Sequence, residues 1–351
     1  MASRKRIRFR YGVLAHAALV VACSASPPLQ ELTIAERENR AGHTNAALDA
    51  YRRAQETCTK VTPVRRRKQA CSDALLGEAE LLERVDEDKK TRTAIDAYLA
   101  IPGKAIDDPS TAATALYRAG GLLIRAGDAT GGWTALWRVV TNFPDEAPAS
   151  DALRALVLDG RGRDAKALAD QMAGLLTPLA ETEAADNLLW SLADLTEHEL
   201  KNPDAARAYY DRIPIDHPKS GLRDDARWNA ARISHDLGDY TGEVERLRGL
   251  LKTREVAWFN GSYFSVWLDD AQLKLGIVLR DNLHDLPGAI AAFEKLPKDY
   301  DRSILRDDAL FELAATYKQA GNTTKACATF AKLTKDWPDS KYLARKTEVG
   351  C

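Results

Sequence analysis

The residue types able to do chemistry in this chain are few and scattered. Six histidines (His16, His43, His198, His217, His235, His284) and five cysteines are the candidates for metal ligation or nucleophilic work. Zinc proteases place two His at i and i+4 on one helical face, H-E-x-x-H. The string "HELK" at His198 lacks the second His, and His217 stands before Pro218 in a turn. No C-x-x-C occurs, so neither a thioredoxin-type redox pair nor a zinc ribbon is indicated. The pairs Asp224–Asp225, Asp269–Asp270 and Asp307–Asp308 could serve calcium or acid–base chemistry. They recur at one phase of a longer period, however, and first-turn acids of helices account for them. "GDATGGW" and "GRGRDA" do not form a phosphate loop, and no G-x-S-x-G nucleophile elbow occurs. The expectation is no enzyme: no catalytic residue, no metal, no cofactor and no small-molecule substrate.

One cysteine has a more specific setting. "MASRKRIRFR" carries Arg4, Lys5, Arg6, Arg8 and Arg10 and no acid, and Tyr11 to Ala22 is apolar. A positive start and a short apolar run describe a secretory signal, too short for a permanent span. The junction Val20-Val21-Ala22-Cys23 resembles the lipobox of bacterial lipoproteins, which implies cleavage before Cys23 and lipid on its sulfur. Val20 stands where Leu is usual, and His16 interrupts the run. Simple secretion and an uncleaved inner-membrane anchor are the alternatives. Ser24, rather than Asp, follows the cysteine, which by the same resemblance implies an outer-membrane protein facing the periplasm. A single acyl chain holds marginally, and the triple acylation of that class holds firmly.

Removing Cys23 leaves Cys58, Cys71, Cys327 and Cys351, two pairs each local in sequence. Proximity favours Cys58 with Cys71 and Cys327 with Cys351, and closing such loops would stabilise by roughly 3 kcal/mol each. Four free thiols are the alternative. The whole chain has a formal charge of −1, and five basic side chains leave with residues 1–22, so the remainder is acidic. It keeps no basic stripe interleaved with aromatics, which argues against nucleic acid. A hydrophobic content of 45% argues against disorder.

The elements come from an internal repeat. Numbered from Asp307, Leu310, Leu313, Ala314, Tyr317, Gly321, Ala326, Phe330 and Pro338 fall at positions 4, 7, 8, 11, 15, 20, 24 and 32. This resembles one tetratricopeptide repeat, a 34-residue helix–turn–helix. The small residue at position 20 recurs as Ala47, Ala94, Gly132, Ala165, Ala206, Glu243, Ala289 and Ala326. Four residues after each stand Tyr51, Tyr98, Leu136, Ala169, Tyr210, Leu247, Phe293 and Phe330. Glu243 and Ala169 are the weakest matches. A small residue lets the second helix of a repeat approach the first, and the larger one shares its face. Gly at position 15 ends the first helix in the left-handed region. Pro at position 32 cannot continue a helix. The expected fold is all-α, a tetratricopeptide-type solenoid of about six to eight repeats coiled as a right-handed superhelix.

The joins "FPDEAPASDALRAL", "HPKSGLRDDARWNAA", "DYDRSILRDDALFEL" and "WPDSKYLARK" share a form. They resemble the repeats of periplasmic tetratricopeptide lipoproteins, those of the outer-membrane β-barrel assembly machine and of the Tol–Pal system. The layout implied is a signal peptide over 1–22, a lipid-anchored linker over 23–30, the solenoid over 31–340, and a tail or cap over 341–351. Such a chain is a scaffold tied to the membrane by its lipid, holding proteins or peptides in its groove. It would serve as a subunit of an outer-membrane or cell-wall assembly complex. The alternative is a non-catalytic accessory of a peptidoglycan-processing enzyme. The repeat interval stretches at "TREVAWFNGSYFSVW", residues 253–267, and insertions in solenoids often mark the binding face. Trp258, Phe259 and Tyr263 there are candidate partner anchors. For Phe264 and Trp267 the favoured reading is burial in the stack.

Overall fold

The computed structural model describes residues 27–85, 91–105, 107–253 and 265–351. The chain divides into two compact units, residues 1–111 and 112–351. Among the described residues, sixteen α-helices follow one another as eight hairpins, without a strand. The fold is all-α and of tetratricopeptide type. No helix among the described residues is long and apolar enough to cross a membrane.

Unit 1 holds α1 (Pro27–Arg40) with α2 (Thr44–Thr57), then α3 (Val64–Val85) with α4 (Thr91–Lys104). Its core gathers Ala35, Ala47, Ala50, Tyr51, Ala54, Ala70 and Ala74. Small residues dominate because the helices run close: a Cβ on Gly77 of α3 would come within 2.4 Å of the Tyr51 ring.

Unit 2 begins within α5 (Pro109–Arg125), which pairs with α6 (Ala129–Asn142). Then come α7 (Pro148–Gly160) with α8 (Ala165–Leu175), and α9 (Ala185–His198) with α10 (Pro203–Asp216). The last three hairpins are α11 (Arg223–Asp236) with α12 (Tyr240–Leu251), α13 (Leu268–Asp281) with α14 (Leu286–Asp299), and α15 (Arg306–Gln319) with α16 (Thr323–Asp336). A 3-10 segment, Lys341–Val349, packs on α15 and α16.

The local causes repeat from hairpin to hairpin. The first helix ends at Gly127, Gly238 or Gly321 with φ of +89°, +76° and +76°, the region where a Cβ is penalised. Two hairpins place Lys201 and His284 in that conformation instead, at φ +52° and +55°. In each the next residue is an Asp or Asn that caps the second helix, and Asp164 caps that of the fourth hairpin. Asp128, Asp164, Asn202, Asp239, Asp285 and Asn322 each accept the backbone N–H three residues on, at 2.9–3.2 Å. Each cap satisfies an otherwise orphaned donor, worth about 1 kcal/mol.

The expected face of the second helix is the buried one. Ala47, Ala94, Ala206, Ala289 and Ala326 have no exposure, and Tyr98, Leu136 and Phe293 four residues after their own markers have none either. Fully burying such a side chain stabilises by about 1.5–3 kcal/mol. The fit is tight: a Cβ on Gly276 of α13 would meet the Phe293 ring of α14 at 2.4 Å. The fourth hairpin departs from the pattern. Ala165 is only half-buried, and Leu168 fills the space against Gly160 of α7, where a Cβ would meet its Cδ2 at 2.4 Å.

Candidate functional site

The joins between hairpins carry a polar device in unit 2. Ser220, Ser303 and Ser340 each lie two residues before the residue whose backbone N–H they accept: Leu222 at 2.9 Å, Leu305 at 3.0 Å and Tyr342 at 3.3 Å. Each hydroxyl donates to the first-turn Asp of the preceding hairpin: Asp186 at 2.5 Å, Asp269 at 2.6 Å and Asp307 at 2.7 Å. Asp224, almost fully buried, accepts instead from Thr253 at 3.1 Å. Two of the three neighbouring acids have partners too. Asp225 accepts the Trp267 indole N–H at 2.6 Å, and Asp308 accepts the Tyr342 hydroxyl at 2.5 Å and Lys341 at 2.9 Å. Burial pushes the Asp308 carboxyl up, but the bonds from Tyr342 and Lys341 outweigh it and hold it below the ordinary range. The acid pairs are therefore couplings between successive hairpins as well as helix starts. Ser-x-Φ in three joins, with an acid about one repeat upstream, was the signal for them.

The first helices of two hairpins leave an open groove. Tyr117, Gly121 and Ile124 of α5 face Ala155 and Leu158 of α7 across a cavity of 410 Å³. Leu158 is 73% exposed, unusual for a large apolar side chain on a helix of the stack. Arg118 and Arg125 stand at the rim, with Asp159. Asp159 accepts the Trp133 indole N–H and the Arg163 Nε, both at 2.6 Å. The bond from Arg163 holds its carboxyl below the usual range against the opposing effect of burial, with Trp133 assisting. The wall of the groove is thus fixed while Leu158 is left to solvent.

A second cavity, of 250 Å³, lies between α11, α12 and α13, walled by Trp228, Ala231 and Leu247. Glu243 sits in it at 1% exposure, with His235 Nδ1 at 2.8 Å from its Oε2 and Lys274 Nζ at 3.8 Å from Oε1. Burial pushes its carboxyl above the ordinary range, and His235 and Lys274 act in the other direction.

Residues 308–340 match the tetratricopeptide repeat family model. This is the α15–α16 hairpin with its following join, the stretch whose tetratricopeptide positions are most complete. No curated relative matches the chain. Among solved structures, it is similar to PilW, described as a widely conserved type IV pilus biogenesis factor, at 15% identity over 66% of this chain and 97% of that one, with a TM-score of 0.37. It is also similar to a tetratricopeptide repeat protein from Parabacteroides merdae, at 12% identity over 93% and 99% of the two chains, TM-score 0.30. PilF of Pseudomonas aeruginosa is similar at 14% identity over 80% and 96%, TM-score 0.30.

The residues singled out from sequence fall in different places. The structure joins Cys58 to Cys71 in unit 1 and Cys327 to Cys351 in unit 2. Cys23, Trp258, Phe259, Tyr263 and Phe264 lie outside the described residues. Trp267 immediately precedes α13, half-buried, and stacks on Trp228 at 4.9 Å between ring centroids. Neither the α5–α7 groove nor the Glu243 cavity was foreseen. The first has no local sequence mark. The second did have one, an acid at a position where small residues recur.

Proposed function

We propose that this protein is a lipid-anchored scaffold of the bacterial envelope that holds a protein or peptide segment against the first helices of its hairpins. The observation that carries the reading is the groove between α5 and α7, with Leu158 exposed inside it and tight, capped hairpins holding its walls. An apolar trough with fixed walls suits an extended or helical segment bearing apolar anchors. The arginines at its rim favour a segment with acids beside those anchors. The anchor is Cys23, supported by the basic start, the short apolar run and the lipobox resemblance, and the outer membrane is the favoured destination because Ser24 follows. Two disulfides suit an oxidising compartment. A role as a subunit of an outer-membrane or cell-wall assembly complex fits a tethered scaffold of this kind.

The test separates anchor from groove. Cys23→Ser should move the protein out of the membrane fraction and abolish labelling by palmitate. Leu158→Glu should keep the wild-type melting curve and the membrane fraction while losing the proteins that wild type co-purifies. Capture unchanged by Leu158→Glu would place binding elsewhere. Muropeptide release by the purified chain would defeat the scaffold reading.

A further inference from the structure

Seven of the eight hairpins put a small residue at one position of the repeat on the second helix: Ala47, Ala94, Gly132, Ala165, Ala206, Ala289 and Ala326. The sixth puts Glu243 there, at 1% exposure. A buried carboxylate in place of an alanine methyl is costly unless it is fully partnered. Its Oε2 is bonded to His235, but Lys274 stands 3.8 Å from Oε1, beyond hydrogen-bond reach. The 250 Å³ cavity above it has Trp228, Ala231 and Leu247 for walls. Trp228 is held by its stack on Trp267, whose indole is in turn bonded to Asp225.

We propose that this cavity is a socket for one basic side chain, Lys or Arg, presented by a protein partner, with Glu243 as its counter-ion. The inference rests on the scaffold reading only in that the side chain comes from a partner. An apolar, aromatic-walled well with an acid at its base complements a long aliphatic stem ending in a cation. Of the charged residues lining the well, Arg232 is engaged with Asp236 and with Glu197, which lies outside the lining, so that Lys274 and His235 are the cations beside Glu243. The entering cation takes Oε1, and Lys274, at the rim and one-third exposed, swings into water.

The experiment titrates the full chain with Nα-acetyl-arginine amide and Nα-acetyl-lysine amide. The controls are the uncharged norleucine amide and the acidic glutamate amide. Tryptophan fluorescence and the Trp267 indole resonance report occupancy. The basic amides should bind roughly tenfold tighter than norleucine amide, or more, as a charge-assisted bond allows, and Glu243→Gln should remove that preference. Glu243→Ala restores the small residue of the other hairpins, so it should fold with wild-type helicity and also lose the preference. Silence of both basic amides, equal binding of norleucine amide, a preference for glutamate amide, or a preference surviving both substitutions overturns the socket. A chain that still captures partners through the α5–α7 groove while ignoring the basic amides overturns the socket alone.

Discussion

The bond between Ser303 and Asp269 is where the coupling of hairpins can be measured most directly. Ser303→Ala removes two interactions at once: donation to Asp269 at 2.6 Å and acceptance of the Leu305 N–H at 3.0 Å. A hydrogen bond to a charged group contributes about 1.5–3 kcal/mol and a neutral one about 1 kcal/mol. Both sites are half-buried, so water recovers part of the loss, and a destabilisation of about 2 kcal/mol is expected. Ile304 next to it is 87% exposed, and Ile304→Ala should stay within about 0.5 kcal/mol of wild type. With Asp269→Ala as the second arm, a double-mutant cycle should return a coupling of about 1 kcal/mol or more. Urea unfolding by circular dichroism reads the whole chain. A repeat protein also opens locally, so native-state hydrogen exchange of α15 amides should lose protection more than those of α9. A Ser303→Ala variant as stable as Ile304→Ala, or a cycle that closes at zero, would refute the idea that these hydroxyls tie hairpins together.

Two further outcomes follow from the geometry. Lys201→Gly and His284→Gly relieve left-handed backbone at φ +52° and +55°, so each should raise stability by about 0.5–1 kcal/mol in urea unfolding, and a loss for either would contradict the strain argument. Burial holds the Glu243 carboxyl above its ordinary range, so the folded chain binds that proton more tightly than the unfolded one. The associated stability is full below the unfolded carboxyl pKa and is lost as pH rises through the folded one. Wild type should therefore lose ground to Glu243→Gln as pH rises above the ordinary carboxylate range in paired thermal melts, whereas parallel curves would count against a buried charge.

Much of the fold could be read in the sequence because each hairpin needs the same three solutions. It needs a small residue at the helix crossing, a bulky one a turn later, and a break with a cap between the helices. Those positions are spaced by helical geometry, so Ala206 with Tyr210 or Ala289 with Phe293 announce themselves without any tertiary knowledge. The fourth hairpin was marked at Ala165 and Ala169, yet Leu168 does the filling, because Gly160 of α7 opens a pocket that only three dimensions reveal. The serine couplings escaped for a related reason. Asp269 and Ser303 are a repeat apart, and each has an adequate local role, as first-turn acid and as turn residue. The groove around Leu158 was invisible because its apolar residues fit the core pattern equally well. Glu243 is a poor match to the repeat, and that mismatch is itself the sequence mark of the cavity.

The serine–aspartate join also has a polarity. Every internal hairpin that uses it offers an acid at the start of its first helix and receives a hydroxyl from the join that follows, so each junction is a plug meeting a socket in one fixed direction. Hairpins built this way can be gained or lost as whole units, because the new neighbours still present matching halves. A rearrangement that cuts within a hairpin leaves an acid facing an acid or a hydroxyl facing nothing. The 3-10 segment fills the last socket with Ser340 and Tyr342, while Ala344 and Arg345 occupy the places where another acid pair would stand. It meets the last hairpin with the same hydroxyl as the other joins but carries no acid pair of its own, so the plug is present there without the socket that accompanies it at Ser220 and Ser303.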